Sequence, residues 1–323
     1  MRRRNFAGCL AAAPIAWSFA AAAQQPKRLY RIGILVPSDR ESAPLRAFFD
    51  ELRRAGFVEG DNLSVSFGRF SVGGDELRES IAALLAAAPD AIVSGGDVPM
   101  RALQEATRTV PLLCMTEDMV QAGLVRSLAR PGGNTTGISL MSSELDPKRQ
   151  EILIEALPKA RRFAILVDAE SIFEDHLQAL RQATERHNRQ AIVASVSNAD
   201  TVLAAIDDAR ARGAEALNVL SSARFQTYVG SIIAHVAAHR LPTIYQWPDL
   251  AREGGLMGYG PSYAGVYRQR ARMLVKVLRG VSVGAIPVEQ PDKFEFVVNL
   301  RAARAMGIEI APSLLNRADE VIE

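Results

Sequence analysis

Short apolar runs alternate with segments of helical spacing along most of the chain. Arg31-Ile32-Gly33-Ile34-Leu35-Val36 is an apolar run stopped by Pro37-Ser38, the mark of a buried strand followed by a turn. Over 43–56, Leu45, Phe48, Phe49 and Leu52 recur at helical spacing, and Gly56 supplies a stop. The same reading predicts strands over 62–70, 91–94 and 111–115, with helices over 75–88 and 100–107. The turn cluster Ala129-Arg130-Pro131-Gly132-Gly133-Asn134 precedes a strand over 136–141, and the alternation then restarts. Helices are predicted over 147–156, 173–187, 199–212 and 227–239, and strands over 162–168, 190–196, 216–221 and 242–246. This order predicts two similar α/β halves joined near residue 140, each a doubly wound parallel sheet with helices on both faces. The glycine-rich stretch 255–260 reads as a second connector into a helix over 263–279, and the strand 294–300 as a candidate third.

The first 23 residues have a different pattern. Arg2, Arg3 and Arg4 precede an apolar stretch, and Ala21-Ala22-Ala23 before Gln24 fits a small-residue cleavage site, so 1–23 reads as a secretory signal. Arg3-Arg4-Asn5-Phe6 also fits the core of a twin-arginine signal. Those arginines carry the whole basic excess. The 38 Lys and Arg less these three leave 35 against 36 Asp and Glu, a near-neutral mature chain that gives a nucleic-acid partner no electrostatic support. Of the two cysteines, Cys114 alone survives cleavage, so no internal disulfide is expected, and its apolar surroundings make it a core filler. With 323 residues the chain has room for two domains, and apolar residues nowhere form the ~20-residue blocks of a bilayer span.

Tests for enzyme chemistry come up empty. Gly33 stands alone after the first strand, without a dinucleotide fingerprint, and neither a P-loop nor a G-x-S-x-G elbow occurs. His235 and His239 lie four apart on a predicted helix, but Val236 stands where a zincin needs Glu, and the pair reads as a solvated face. Glu117-Asp118 is a carboxylate pair, yet adjacent residues seldom converge on one substrate, so a polar loop is the better reading. No catalytic residue, metal or cofactor is expected.

In doubly wound sheets, ligands sit beyond the carboxyl ends of the strands. Those ends are Pro37-Ser38, Gly95-Gly96-Asp97 and Thr116-Glu117-Asp118 in the first half, and Asp168, Ser221-Ser222 and Tyr245-Gln246 in the second. Tyr245, Trp247 and Tyr259 near the second connector are candidates to clamp an apolar or aromatic moiety. The selected binding residues are Ser38, Asp97, Asp118, Ser222, Tyr245 and Tyr259, with Asp97 as the candidate ammonium partner.

A set of segments then carries a specific resemblance. They include Ala55-Gly56-Phe57-Val58-Glu59-Gly60, Ser127-Leu128-Ala129-Arg130-Pro131-Gly132-Gly133-Asn134, His239-Arg240-Leu241-Pro242, Gly254-Gly255-Leu256-Met257, Pro287-Val288-Glu289-Gln290-Pro291 and Pro312-Ser313-Leu314-Leu315. With them the chain resembles a family of ABC-transporter substrate-binding proteins of the type I periplasmic binding fold, some members of which are linked to aromatic amino acids such as tryptophan. The resemblance implies two lobes joined by three crossovers: 28–139 plus 260–290, and 140–259 plus 291–323. It further implies a monomeric periplasmic receptor that closes on a small polar solute and presents it to a membrane permease. Departures fall near the solute: Gly96-Asp97-Val98 replaces a common Gly-Thr-Pro, Asp118-Met119-Val120 an Asp-Pro-Val, and Met257-Gly258-Tyr259-Gly260 a Met-Ser-Tyr-Gly. The alternatives are a secreted α/β hydrolase and a solute receptor serving a signalling partner. A sugar-repressor-like regulator would need a DNA-binding helix-turn-helix where the export signal stands.

Overall fold

The structure, a computed structural model, describes residues 28–37, 39–68 and 74–323. The export signal over 1–23 and Ser38 lie outside the described residues. The first sheet is laid down by β1 (Tyr30–Leu35), α1 (Ala43–Arg54), β2 (Leu63–Phe67), α2 (Asp75–Ala86), β3 (Ala91–Ser94), α3 (Asp97–Ala106), β4 (Leu112–Thr116) and β5 (Thr135–Ser139). Its strands are parallel in the order β2-β1-β3-β4-β5. Every residue of β3, β4 and β5 is buried, which explains their continuous apolar or small-residue runs.

The second sheet begins after α4 (Ser142–Ala156). It uses β6 (Arg162–Asp168), α5 (Glu174–Glu185), β7 (Gln190–Val196), α6 (Val202–Ala211), β8 (Ala216–Val219), α7 (Ala223–Thr227), α8 (Val229–Ala238), β9 (Thr243–Tyr245), α9 (Pro248–Arg252) and β10 (Met257–Pro261). After α10 (Tyr263–Leu278), β11 (Phe294–Asn299), α11 (Leu300–Met306), α12 (Pro312–Leu315) and β12 (Glu320–Ile322) complete it, in the order β12-β11-β10-β9-β8-β6-β7. All its pairings are parallel except β10 with β11.

The glycine-rich stretch expected to be a connector is therefore a strand. Gly258 and Gly260 give β10 little intrinsic β-propensity, but tight packing demands them. A Cβ on Gly258 would come within 2.7 Å of the Trp247 carbonyl oxygen, and one on Gly260 would collide with that of Gln246. The chain leaves this sheet only at α10, whose buried face packs along α1 against the first sheet. It stays there through 286–289: Thr136 Oγ1 donates to the Ile286 carbonyl at 2.8 Å, and Glu289 bridges to Ile138 beside β5. The backbone thus passes between the two sheets three times: from β5 to α4, from β10 to α10, and between 289 and β11.

Helix α4 starts five residues ahead of the expected 147–156, with Pro147 inside it. Pro147 cannot donate the hydrogen bond due to the Ser143 carbonyl, and buried side-chain bonds hold the early turns in its place. Ser142 donates to Glu117, Asp146 pairs with Arg149, and Asn218 donates to Gln150 at 3.1 Å.

Candidate functional site

Strand order reverses direction between β1 and β3 in the first sheet and between β6 and β8 in the second. At such switch points neighbouring helices leave on opposite faces, opening a crevice beyond the strand ends. The two crevices face each other. A cavity of about 330 Å³ lies between them, with Pro37, Gly95, Gly96, Met115 and Glu117 on the first lobe's side. The second lobe contributes Ser221, Ser222, Ala223, Gln226, Gln246 and Trp247, and Leu140 and Tyr263 from the connecting segments complete the wall.

The two lobes touch around this space. Ser142 donates to Glu117 Oε2 at 2.8 Å, and Gln121 Nε2 reaches both carboxylate oxygens of Asp175 at 2.9 Å. A Cβ built on Gly96, whose φ is +86°, would stand 3.0 Å from the Ala223 Cβ across the cleft. Tyr263, at the start of α10, is tied to the other lobe: its backbone N–H donates to the Asp249 carboxylate at 2.9 Å.

Among the described residues, Glu117 is the only ionisable carboxylate or cation on the cavity wall. Burial pushes its carboxyl up to about 7, against the stabilising hydrogen bonds of Ser221 and Ser142. Glu117 also lines an adjoining polar cavity of about 240 Å³ with Ser142, Asp146, Asp168, Ser171, His176 and Ser221. Behind that cavity the charges are paired. Arg149 donates to Asp146 through Nε at 2.9 Å and to the Tyr259 carbonyl through Nη1 at 2.9 Å. His176 Nε2 sits 3.0 Å from Asp146 Oδ2. Asp146 is held below the usual carboxylate range by Arg149 and His176 despite its burial, and Asp146 raises His176 in turn. Asp168 accepts from Ser222 Oγ at 2.7 Å and from Arg224 Nε at 3.1 Å.

The aromatic wall is made by Trp247 and Tyr263, whose ring centroids are 4.4 Å apart at 35°. Tyr267 packs edge-on behind Tyr263 at 5.1 Å, and Arg270 stacks on Tyr267 while Nη1 donates to the Ser94 carbonyl at 3.0 Å. That contact fixes the end of β3, from which Gly95 and Gly96 project.

Of the residues selected from sequence, Ser222 lines the cavity. Its hydroxyl is occupied, capping α7 at the Arg224 N–H and donating to Asp168. Four others are turned away. Asp97 bonds Thr116 and does not line the cavity; burial raises its carboxyl. Asp118 spends its Oδ1 on the backbone N–H groups of Val120 and Gln121, both at 2.9 Å, closing its own turn. Tyr245 is fully buried in the main apolar core, its phenol pushed up by burial. Tyr259 points to the opposite face of β10, against Phe296 with centroids 6.3 Å apart. The period-2 alternation of β10 explains this: Met257 and Tyr259 share one face, and Gly258 and Gly260 the other, against the 246–248 backbone. Glu117 and Trp247 were visible in the sequence but were not among the selected residues, and Tyr263 carried no signal beyond being aromatic at a helix start.

The sequence profile of a family described as "ABC transporter substrate binding protein" matches residues 32–322. A tyrosine-binding protein of Clostridioides difficile (strain R20291) is 25% identical over 290 residues, covering 88% of this chain and 82% of that protein. The crystal structure of an ABC domain in complex with L-Trp from Streptococcus pneumonia superposes with a TM-score of 0.80 at 19% identity, covering 91% of this chain and 100% of that one. The ligand-free, open structure of a substrate binding protein with adhesive properties from Clostridium difficile gives 0.62 at 22% identity, covering 91% and 99%.

Proposed function

The chain belongs to the ABC transporter substrate-binding proteins, and from that premise we propose that it captures a small solute bearing a primary ammonium group, an amino acid with an aromatic or apolar side chain. The observation that carries this reading is a single carboxylate, Glu117, on the wall of an interlobe cavity that also holds the Trp247–Tyr263 pair. Burial of a carboxylate is costly, and with no cation on that wall among the described residues an ammonium ligand supplies a partner there. The aromatic pair offers faces for an apolar or aromatic side chain, while Ser221, Gln226 and Gln246 offer hydrogen-bonding groups to the polar remainder. A tyrosine-binding relative and a tryptophan-bound structural neighbour are in keeping with that class.

Capture works by lobe closure. Solute contacts both lobes, so it binds the closed arrangement better and shifts the population toward it. The contacts Glu117–Ser142 and Gln121–Asp175 span the cleft, and the chain superposes better on the ligand-bound neighbour than on the open, ligand-free one. Both support the closed arrangement as the one described. The closed form would then be the one read by an ABC permease in the membrane. The signal expected over 1–23 supports export, so that the receptor would work in the periplasm. Among the described residues no helix is long and apolar enough to cross a membrane.

Isothermal titration with tyrosine, tryptophan and other free amino acids tests the assignment. Saturable binding that falls at least tenfold in Glu117→Gln supports it, and unaltered binding in that variant removes Glu117 from the ammonium site.

A further inference from the structure

The outer helices of the second lobe carry a cluster that the cleft does not use. His235 on α8 and His239 at its C-terminal cap are one helical turn apart, with ring centroids 4.6 Å apart. Helix α6 packs beside α8 and brings Asp207 to the same face. Asp207 Oδ1 is 2.9 Å from His235 Nε2 and 3.7 Å from His239 Nε2. One ligand atom from each of the three residues lies within 4.8 Å of the others. The side chains are 49% exposed for Asp207, 19% for His235 and 35% for His239, so an ion can reach all three.

We propose that Asp207, His235 and His239 form a surface site for a divalent transition metal ion of the zinc type, clamping α6 to α8. Two imidazoles and one carboxylate are the donor set that suits zinc, and they disfavour magnesium and calcium, which take oxygen ligands. Metal–ligand bonds of about 2.0–2.2 Å in a tetrahedron set the donor atoms roughly 3.3 Å apart. The two Asp207–imidazole separations, 2.9 and 3.7 Å, bracket that spacing. The fourth position opens to solvent. One competitor is present: Arg210 Nη1 lies 3.4 Å from the same Asp207 oxygen and must yield to the ion. None of the three residues lines either cavity at the cleft, so this site stands or falls independently of the solute assignment.

Equilibrium dialysis of untagged protein against Zn²⁺, with Co²⁺ absorption as the readout of coordination, tests the proposal. The expected result is one saturable Zn²⁺ per chain and a tetrahedral Co²⁺ spectrum. Each of His235→Gln and His239→Gln should weaken Zn²⁺ binding at least tenfold, and His187→Gln should leave it unchanged. Saturating Zn²⁺ should also raise the melting temperature of the native protein and not that of the double variant, as expected for binding to the folded state. Absence of a saturable ion, or a loss below tenfold in both single variants, overturns it.

Discussion

Glu117 and Asp97 are both carboxylates at strand ends of the first lobe, yet they do different work. Asp97 spends its acceptor capacity on Thr116, whereas Glu117 faces the cavity and titrates near 7. Because the ionised form is the one that holds an ammonium, affinity for the solute should follow the Glu117 carboxylate. Its ionised fraction falls from about nine-tenths at pH 8 to about one-tenth at pH 6, so affinity should drop about tenfold over that interval. Glu117→Gln should flatten the profile. His176, Asp146 and Asp168 line the adjoining cavity, and a His176→Gln variant that keeps the full pH dependence separates the two titrations. In the empty protein the sign reverses: a carboxyl raised to about 7 from its ordinary 4.5 adds stability as pH falls between those values, and urea unfolding reads that contribution by its loss in Glu117→Gln. Asp97→Asn should bind solute with near-native affinity by titration calorimetry. The sequence located both carboxylates at strand ends, but which one faces the cleft depends on the turns that follow the strands, such as the one after β4. Asp118 consumes its own side chain in that turn, and no residue pattern announces it.

Elements were more legible than side-chain directions. Strands β3 and β6 match the expected bounds because buried parallel strands leave continuous apolar runs between turn residues, and the edge strand β7 matches through its alternating burial. Strand β10 was not legible as a strand, since two of its residues are glycines required by the approach of the 246–248 backbone. Gly258→Ala should therefore cost about 1–3 kcal/mol in urea unfolding and weaken solute binding by displacing Trp247. The early start of α4 has a similar cause, for it rests on buried partners from other elements. Arg149 is buried and joins Asp146 on its own helix to the Tyr259 carbonyl of β10. Arg149→Ala leaves Asp146 buried without its guanidinium, and should cost about 3–5 kcal/mol by chemical denaturation.

Across the whole molecule, two sheets with facing switch points are joined by three backbone passes, a layout suited to hinge closure about the passes. The alternating pattern made the two halves legible. Their interleaving came only from the family resemblance and not from the pattern, since α10 packs with a helix more than 200 residues earlier in the chain. Ala223 stands against Gly96 across the cleft, where there is room for little more than a hydrogen on the glycine. Ala223→Leu should hold the lobes apart. Its solute affinity should fall at least tenfold, and small-angle scattering should show no ligand-induced decrease in radius of gyration, in contrast to the native protein.

The central claim is that the cleft recognises the ammonium group of a small amino acid-like solute. Thermal-shift measurement with free amino acids, each paired with the same molecule lacking its amine, tests this most directly. At a hundredfold excess over the dissociation constant a true ligand adds about 2.7 kcal/mol, a readily visible shift. Stabilisation is expected from at least one amino acid and not from its des-amino partner. No stabilising amino acid, or equal stabilisation by the des-amino compound, would contradict it.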